Sequence, residues 1–153
     1  MTDIFKDQAT FMVACGQTTS GGSVDQFALY HNLVLEEGEE LGRALHELLS
    51  HTRTEPEEPD QQYVTDLLHR SASVLDGIID TIVTLTGLGY SMGFDMEKAW
   101  NEVHRTNMAK IDPTTGKVIR RDDGKILKPE GWAPPDLVKV VIDSWNNQPE
   151  VAP

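Results

Sequence analysis

Five carboxylates stand where a helix would ordinarily place apolar side chains. Glu36, Glu37 and Glu40 lie within the stretch 33–49, whose apolar residues Leu33, Leu41, Ala44, Leu45 and Leu48 recur at three- and four-residue steps. Glu37 is four residues after Leu33 and four before Leu41. Glu40 is four before Ala44, and Glu36 borders the same stripe. Asp76 and Asp80, one turn apart, repeat the anomaly on a side that continues through Ala72, Val83 and Gly87. A buried, unpaired carboxylate is costly; it must shift its pKa, find a partner or bind a cation. One such acid is an accident of helix rotation, whereas five on two long helices point to a shared cation. The donors are all hard oxygens, which favours Mg²⁺ or Mn²⁺ over zinc. More than four acids leaves room for a second ion or a general base. The plainer alternative is a solvated acidic edge with no ligand.

The elements that must position these acids are legible from periodicity and caps. A short helix over 3–15 is expected, ended by Gly16. Ser23 or Asp25 can cap a long helix over about 25–51. The run Thr54-Glu-Pro-Glu-Glu-Pro59 ends it through two prolines and repulsive charge. Asp60 can cap a third helix to about 91, apolar on more than one side, a breadth that suggests burial by a second subunit. Gly77, Gly87 and Gly89 weaken that helix by about 1 kcal/mol each, and close approach of a neighbouring helix is the expected compensation. Asp95 caps a fourth helix to about 109, with Ala99, Trp100, Val103 and Met108 expected to face inward. Residues 111–135 carry Pro and Gly and no helical period, and read either as a small hairpin about Asp122-Asp-Gly124 or as an ordered loop over a site. Pro135 and Asp136 can open a last helix to about 145. The expectation is an all-α fold, a bundle of four to five helices with an irregular basic segment near the C-terminus. Residues 1–145 would form one domain and 146–153 a tail.

Charge is distributed unevenly. The net charge is −12, which argues against general nucleic-acid binding. Residues 1–97 hold seventeen acids against four bases, but residues 98–128 hold eight bases against four acids. An acidic helical body followed by a basic segment suits a cation together with a polyphosphate. No run of eighteen apolar residues occurs, so no membrane span is expected. The opening residues lack the order of a signal peptide, and the single Cys15 cannot form an internal disulfide; both fit a cytoplasmic protein. Cys15 is expected to be a small buried residue with nothing adjacent to activate it.

Other chemistries find less support. A di-iron bundle wants Glu-x-x-His on two helices, and no histidine here has Glu three residues before it. The five histidines are scattered and read as surface or packing residues. There is no Gly-x-x-x-x-Gly-Lys-Ser/Thr loop, no Gly-x-Gly-x-x-Gly after a strand and no Gly-x-Ser-x-Gly elbow. A phosphate site would therefore rest on metal and side chains. Asn101, Arg105, Asn107 and Lys110, near the end of the fourth helix, form either part of such a site or a solvated face favoured by the helix dipole.

Glu36-Glu37-x-x-Glu40, followed by an acid-bearing helix ending at Asp80, resembles the all-α NTP pyrophosphohydrolases, the MazG-like superfamily. Ala99-Trp-Asn-Glu-Val-His-Arg-Thr-Asn-Met-Ala-Lys110 and Gly116-Lys-Val-Ile-Arg120-Arg-Asp-Asp-Gly-Lys125-Ile-Leu-Lys128-Pro-Glu-Gly-Trp132 resemble its bacterial and phage branch, which includes dUTP-hydrolysing enzymes. The resemblance spans about residues 10–140. It implies cleavage of a nucleoside triphosphate between the α and β phosphates, giving monophosphate and pyrophosphate, with dUTP or another surplus or non-canonical nucleotide as substrate. It implies Mg²⁺ on Glu37, Glu40 and Asp80, and Glu36 as the residue that orients or deprotonates the attacking water. Asn107 and Lys110 match positions near the nucleotide, and Lys117, Arg120, Arg121, Lys125 and Lys128 are candidate phosphate contacts. The family's second motif is usually Glu-x-x-Asp; here Gly77 stands three residues before Asp80, and Asp76 takes the glutamate's part. A homodimer or homotetramer is expected, in the cytoplasm, or the host cytoplasm if phage-encoded. The alternatives are a non-catalytic, cation-binding helical interaction protein, and a sibling enzyme acting on phosphoribosyl-ATP or alarmones.

Overall fold

A computed structural model describes residues 3–147 and is all-helical, with five helices and no strands among the described residues. The helices are α1 (Ile4–Ala14), α2 (Val24–Arg53), α3 (Gln61–Ser91), α4 (Met96–Met108) and α5 (Leu137–Asn146). Their contacts gather in two compact units, Met1–Met92 and Gly93–Pro153. Residues 148–153, most of the expected tail, lie outside the described residues; Asn146 still belongs to α5 and Asn147 caps it.

In the first unit, side-chain oxygens of Asp3, Ser23 and Asp60 accept hydrogen bonds from first-turn amides of α1, α2 and α3. Ser23, rather than Asp25, is therefore the α2 cap. α2 and α3 form an antiparallel hairpin whose register can be followed through four contacts. His51 stacks on Tyr63 with ring centroids 4.3 Å apart. Glu47 pairs with Arg70 at 3.1 Å. Leu41 lies against Gly77, where an added Cβ would stand 3.2 Å from the Leu41 Cα. Tyr30 lies on Gly87 so closely that an added Cβ would overlap its ring edge at Cε1. Each step along α2 is matched by a step back along α3. The Tyr30 hydroxyl donates to Gln17 Oε1 at 2.9 Å, and the Tyr90 hydroxyl donates to the Phe5 carbonyl at 3.0 Å, tying the α1–α2 loop and α1 to the hairpin.

Some expected burial is absent. Cys15 is exposed at the C-terminal cap of α1, because the helix ends there and turns away through Gly16 at φ 73°. Leu45 is exposed, whereas Leu33, Leu41, Ala44 and Leu48 are half-buried. By length and composition alone α3 is the one described helix able to cross a membrane, although no uninterrupted apolar run of that length exists.

In the second unit, Asp95 caps α4 and Asp136 caps α5. Lys98 pairs with Asp143 at 2.7 Å, and the Asp95 amide donates to Ser144 Oγ at 3.0 Å. Glu102 accepts two bonds from the Arg105 guanidinium, at 2.7 and 2.9 Å, and another from the Asp136 amide at 2.9 Å. Those bonds hold its carboxyl down to about 2. The segment between the helices holds isolated antiparallel bridges Ile111–Val118 and Arg120–Ile126, with tight turns at Gly116 and Gly124, but no extended strand. On α4, Trp100 is 60% and Met108 50% exposed, against the expectation that both face inward. Thr106 is instead the buried residue, because its carbonyl accepts the Trp132 indole N–H at 2.8 Å as the downstream segment folds back over the helix end.

Candidate functional site

The hairpin register sets what the five acids can do together. Level with the Leu41–Gly77 contact, Glu37, Glu40, Asp76 and Asp80 line one open groove of about 350 Å³ with Arg43, Ala44, Glu47, Ser73 and Gly77. Gly77 removes the side chain that would hold the two helices apart there. Glu36 does not line the groove and is exposed beside it. Glu37 and Asp80 are half-buried, whereas Glu40 and Asp76 are exposed on the rim, so the apolar-stripe reading describes only part of the set.

Glu37 is the electrostatic centre. Burial pushes its carboxyl above the usual range, and the charges of Asp80, Glu40, Glu36 and Asp76 push it further. Acids of both helices thus act on Glu37. Each added negative charge makes ionising Glu37 more costly, a cost that a bound cation relieves. Against this, no three His, Cys, Asp or Glu side chains among the described residues already stand close enough to hold a metal ion. Glu40 is turned to Arg43 at 3.4 Å, in a surface pair of the kind that contributes little. The donor chemistry fits a hard divalent cation; the rotamers are spread instead of gathered on one point.

The basic residues singled out from sequence belong to the second unit. Lys110 Nζ donates to Asn107 Oδ1 at 2.8 Å, so these two residues engage each other. Arg120 donates to the Gly124 carbonyl at 2.9 Å, and Arg121 pairs with Asp123. Both arginines brace the turn at Gly124. Lys117 and Lys125 are exposed and meet no carboxylate within ion-pair distance among the described residues. Asn101 and Arg105 line a groove between α4 and α5 whose charges are largely mutually satisfied. His51 packs on Tyr63 while the other histidines are exposed, in agreement with their reading as surface or packing residues.

Sequence reasoning gave no role to Trp132, which carries Lys128 over its ring at 4.1 Å and Lys110 at 5.5 Å. A tryptophan amid Pro and Gly has no periodicity to reveal its contacts. No family model and no curated protein matches the chain.

Proposed function

We propose that this chain is a Mg²⁺-dependent nucleotide pyrophosphohydrolase, cleaving a nucleoside triphosphate between the α and β phosphates to give monophosphate and pyrophosphate. The observation that carries this reading is the acidic groove at the α2–α3 contact, where four other carboxylates act on Glu37. The motif resemblance and the basic segment after residue 97 agree with it. Glu37, Glu40, Asp76 and Asp80 would hold the ion, Mg²⁺ or Mn²⁺ in its place. When bound, it supplies Lewis-acid polarisation of a phosphoryl oxygen. Glu36, outside the ligand set and in solvent, is free to orient a water and accept its proton. The water oxygen attacks the α-phosphorus as the bond to the bridging oxygen breaks, and the electron pair leaves on pyrophosphate. Asn107, Lys110, Lys117, Arg120, Arg121 and Lys125 remain the candidate phosphate contacts.

A homodimer or homotetramer is part of the proposal. α3 exposes Leu75, Ile78, Ile79, Ile82 and Leu85, with Leu75 61% and Ile79 50% exposed. An apolar helix face of that extent calls for a cover, and a second copy of the same helix is the simplest one.

The separated rotamers and the Glu40–Arg43 pair favour a second reading, a non-catalytic helical protein whose acids bind a cation without turnover. A panel of canonical and modified triphosphates, with phosphoribosyl-ATP and an alarmone, assayed with Mg²⁺ for pyrophosphate and orthophosphate, separates the readings. The hydrolase releases pyrophosphate from at least one substrate. The non-catalytic protein releases nothing, and Mg²⁺ raises only its melting temperature.

A further inference from the structure

We propose that Arg43 is the acidic groove's own counter-ion, and that a divalent cation enters by taking Glu40 from it. The choice of a divalent cation rests on the hydrolase reading of the groove; the place of Arg43 in it rests on geometry within the first unit. Among the described residues that line the groove, Arg43 is the one base. It lines the groove together with the carboxylates of Glu37, Glu40, Glu47, Asp76 and Asp80. Glu47 has a partner of its own in Arg70, at 3.1 Å, and Arg70 does not line the groove. Arg43 therefore faces the other four acids alone, one helical turn beyond Glu40.

The way Arg43 is held differs from an ordinary helix pair. The same Glu-x-x-Arg spacing occurs at Glu102 and Arg105 in α4. There the guanidinium closes on the carboxylate with two bonds, at 2.7 and 2.9 Å, and the Glu102 side chain is 20% exposed. Between Glu40 and Arg43 the gap is 3.4 Å, no hydrogen bond joins the two among the described residues, and the side chains stay 56% and 62% exposed. Helical spacing thus permits a closed pair that the groove leaves open. A guanidinium among several carboxylates is attracted by all of them, and closing on one gives up part of its attraction to the rest. An ion that takes Glu40 must displace Arg43, and the displaced charge, fixed at every ordinary pH, then repels the ion. An exposed, open pair yields readily, so the competitor tunes the cation's affinity instead of blocking it.

The test uses Mn²⁺ as the probe, with free Mn²⁺ read from its electron paramagnetic resonance signal during titration of the full chain. Arg43→Gln should bind Mn²⁺ about fivefold more tightly than the wild type. Arg43→Met, a second neutral replacement, should match it. Arg43→Lys, which keeps the charge, should stay within about twofold of the wild type. Arg53→Gln removes an equal charge from the same helix, ten residues on and outside the groove, and should leave the affinity unchanged. Circular dichroism checks that all variants keep the wild-type helical content. Equal or weaker binding in both Arg43→Gln and Arg43→Met overturns the exchange and leaves the cation site standing. So does an equal gain in Arg43→Lys, which would separate the effect from charge, or in Arg53→Gln, which would make it one of net charge alone. Mn²⁺ bound by neither the wild type nor any variant overturns the exchange and the cation reading together.

Discussion

Glu37 concentrates the repulsion among the groove's acids, and its environment sets a sign that can be measured. Its carboxyl is raised in the folded protein, so the native state binds a proton more readily than the unfolded chain. That contribution to stability is fully present below the ordinary carboxylate range and is lost as pH rises through the raised value. Glu37→Gln removes the repulsion. In EDTA at neutral pH the variant should melt roughly 1–3 °C above the wild type, with a flatter dependence on pH above the carboxylate range. With Mg²⁺ the order reverses, because only the wild type keeps the full ligand set. Differential scanning calorimetry with and without Mg²⁺ checks both, and a melting temperature lowered by the substitution in EDTA would refute the repulsion. Glu102 has the opposite sign. Held down to about 2, its contribution is present above the ordinary carboxylate range and is lost only as pH falls toward that value. Glu102→Gln should therefore reduce the second unit's acid resistance, visible as an earlier loss of near-ultraviolet signal on acid titration. At this scale the helical spacing pointed to five acids; four of them line one groove, and Glu36 lies beside it. Helical spacing places Glu36, Glu37 and Glu40 on neighbouring lines of one helix; which line meets the seam depends on the partner helix. Trp132 was missed because its contacts arise from a fold-back that no local spacing encodes.

At the scale of elements, the α2–α3 hairpin is the device that brings the acids together, and glycine sets its closeness. A Cβ at position 77 would stand 3.2 Å from the Leu41 Cα, a backbone atom that cannot rotate aside. Gly77→Ala gains about 1 kcal/mol of helix propensity but meets an overpacking cost of about 1–3 kcal/mol. The net expectation is a slightly less stable protein with turnover reduced about tenfold as the carboxylates separate. Gly87→Ala is worse, since its methyl would overlap the edge of the Tyr30 ring. Gly42→Ala, with nothing within 4 Å, should be stabilising by about 1 kcal/mol. Urea denaturation ranks the three, and Gly77→Ala matching Gly42→Ala would show that the seam is loose. The elements themselves were the most legible level. Asp60, Asp95 and Asp136 cap the helices expected of them, and boundaries agree within two residues, because capping and periodicity are local signals. The 111–135 segment stayed ambiguous because its bridges are isolated pairs, too short to impose an alternating pattern.

For the whole molecule, the question is what covers α3. Its apolar breadth was visible in the sequence, and the exposed face from Leu75 to Leu85 turns that breadth into a specific expectation. Light scattering should give at least twice the 17.0 kDa of one chain, and Ile79→Glu should reduce it to one. A monodisperse wild-type monomer at micromolar concentration would refute a second copy as the cover. The uneven charge, acidic through residue 97 and basic over 98–128, likewise follows from sequence alone, although its use depends on chemistry that must be assayed.

The most direct measurement is product analysis with Mg²⁺ over a panel of nucleoside triphosphates, for the wild type and Glu37→Gln side by side. The expected result is pyrophosphate and monophosphate from the wild type, abolished by EDTA and lowered at least a thousandfold by the substitution, with helical content unchanged. Orthophosphate as the first product, or pyrophosphate release undiminished in Glu37→Gln, would contradict the account.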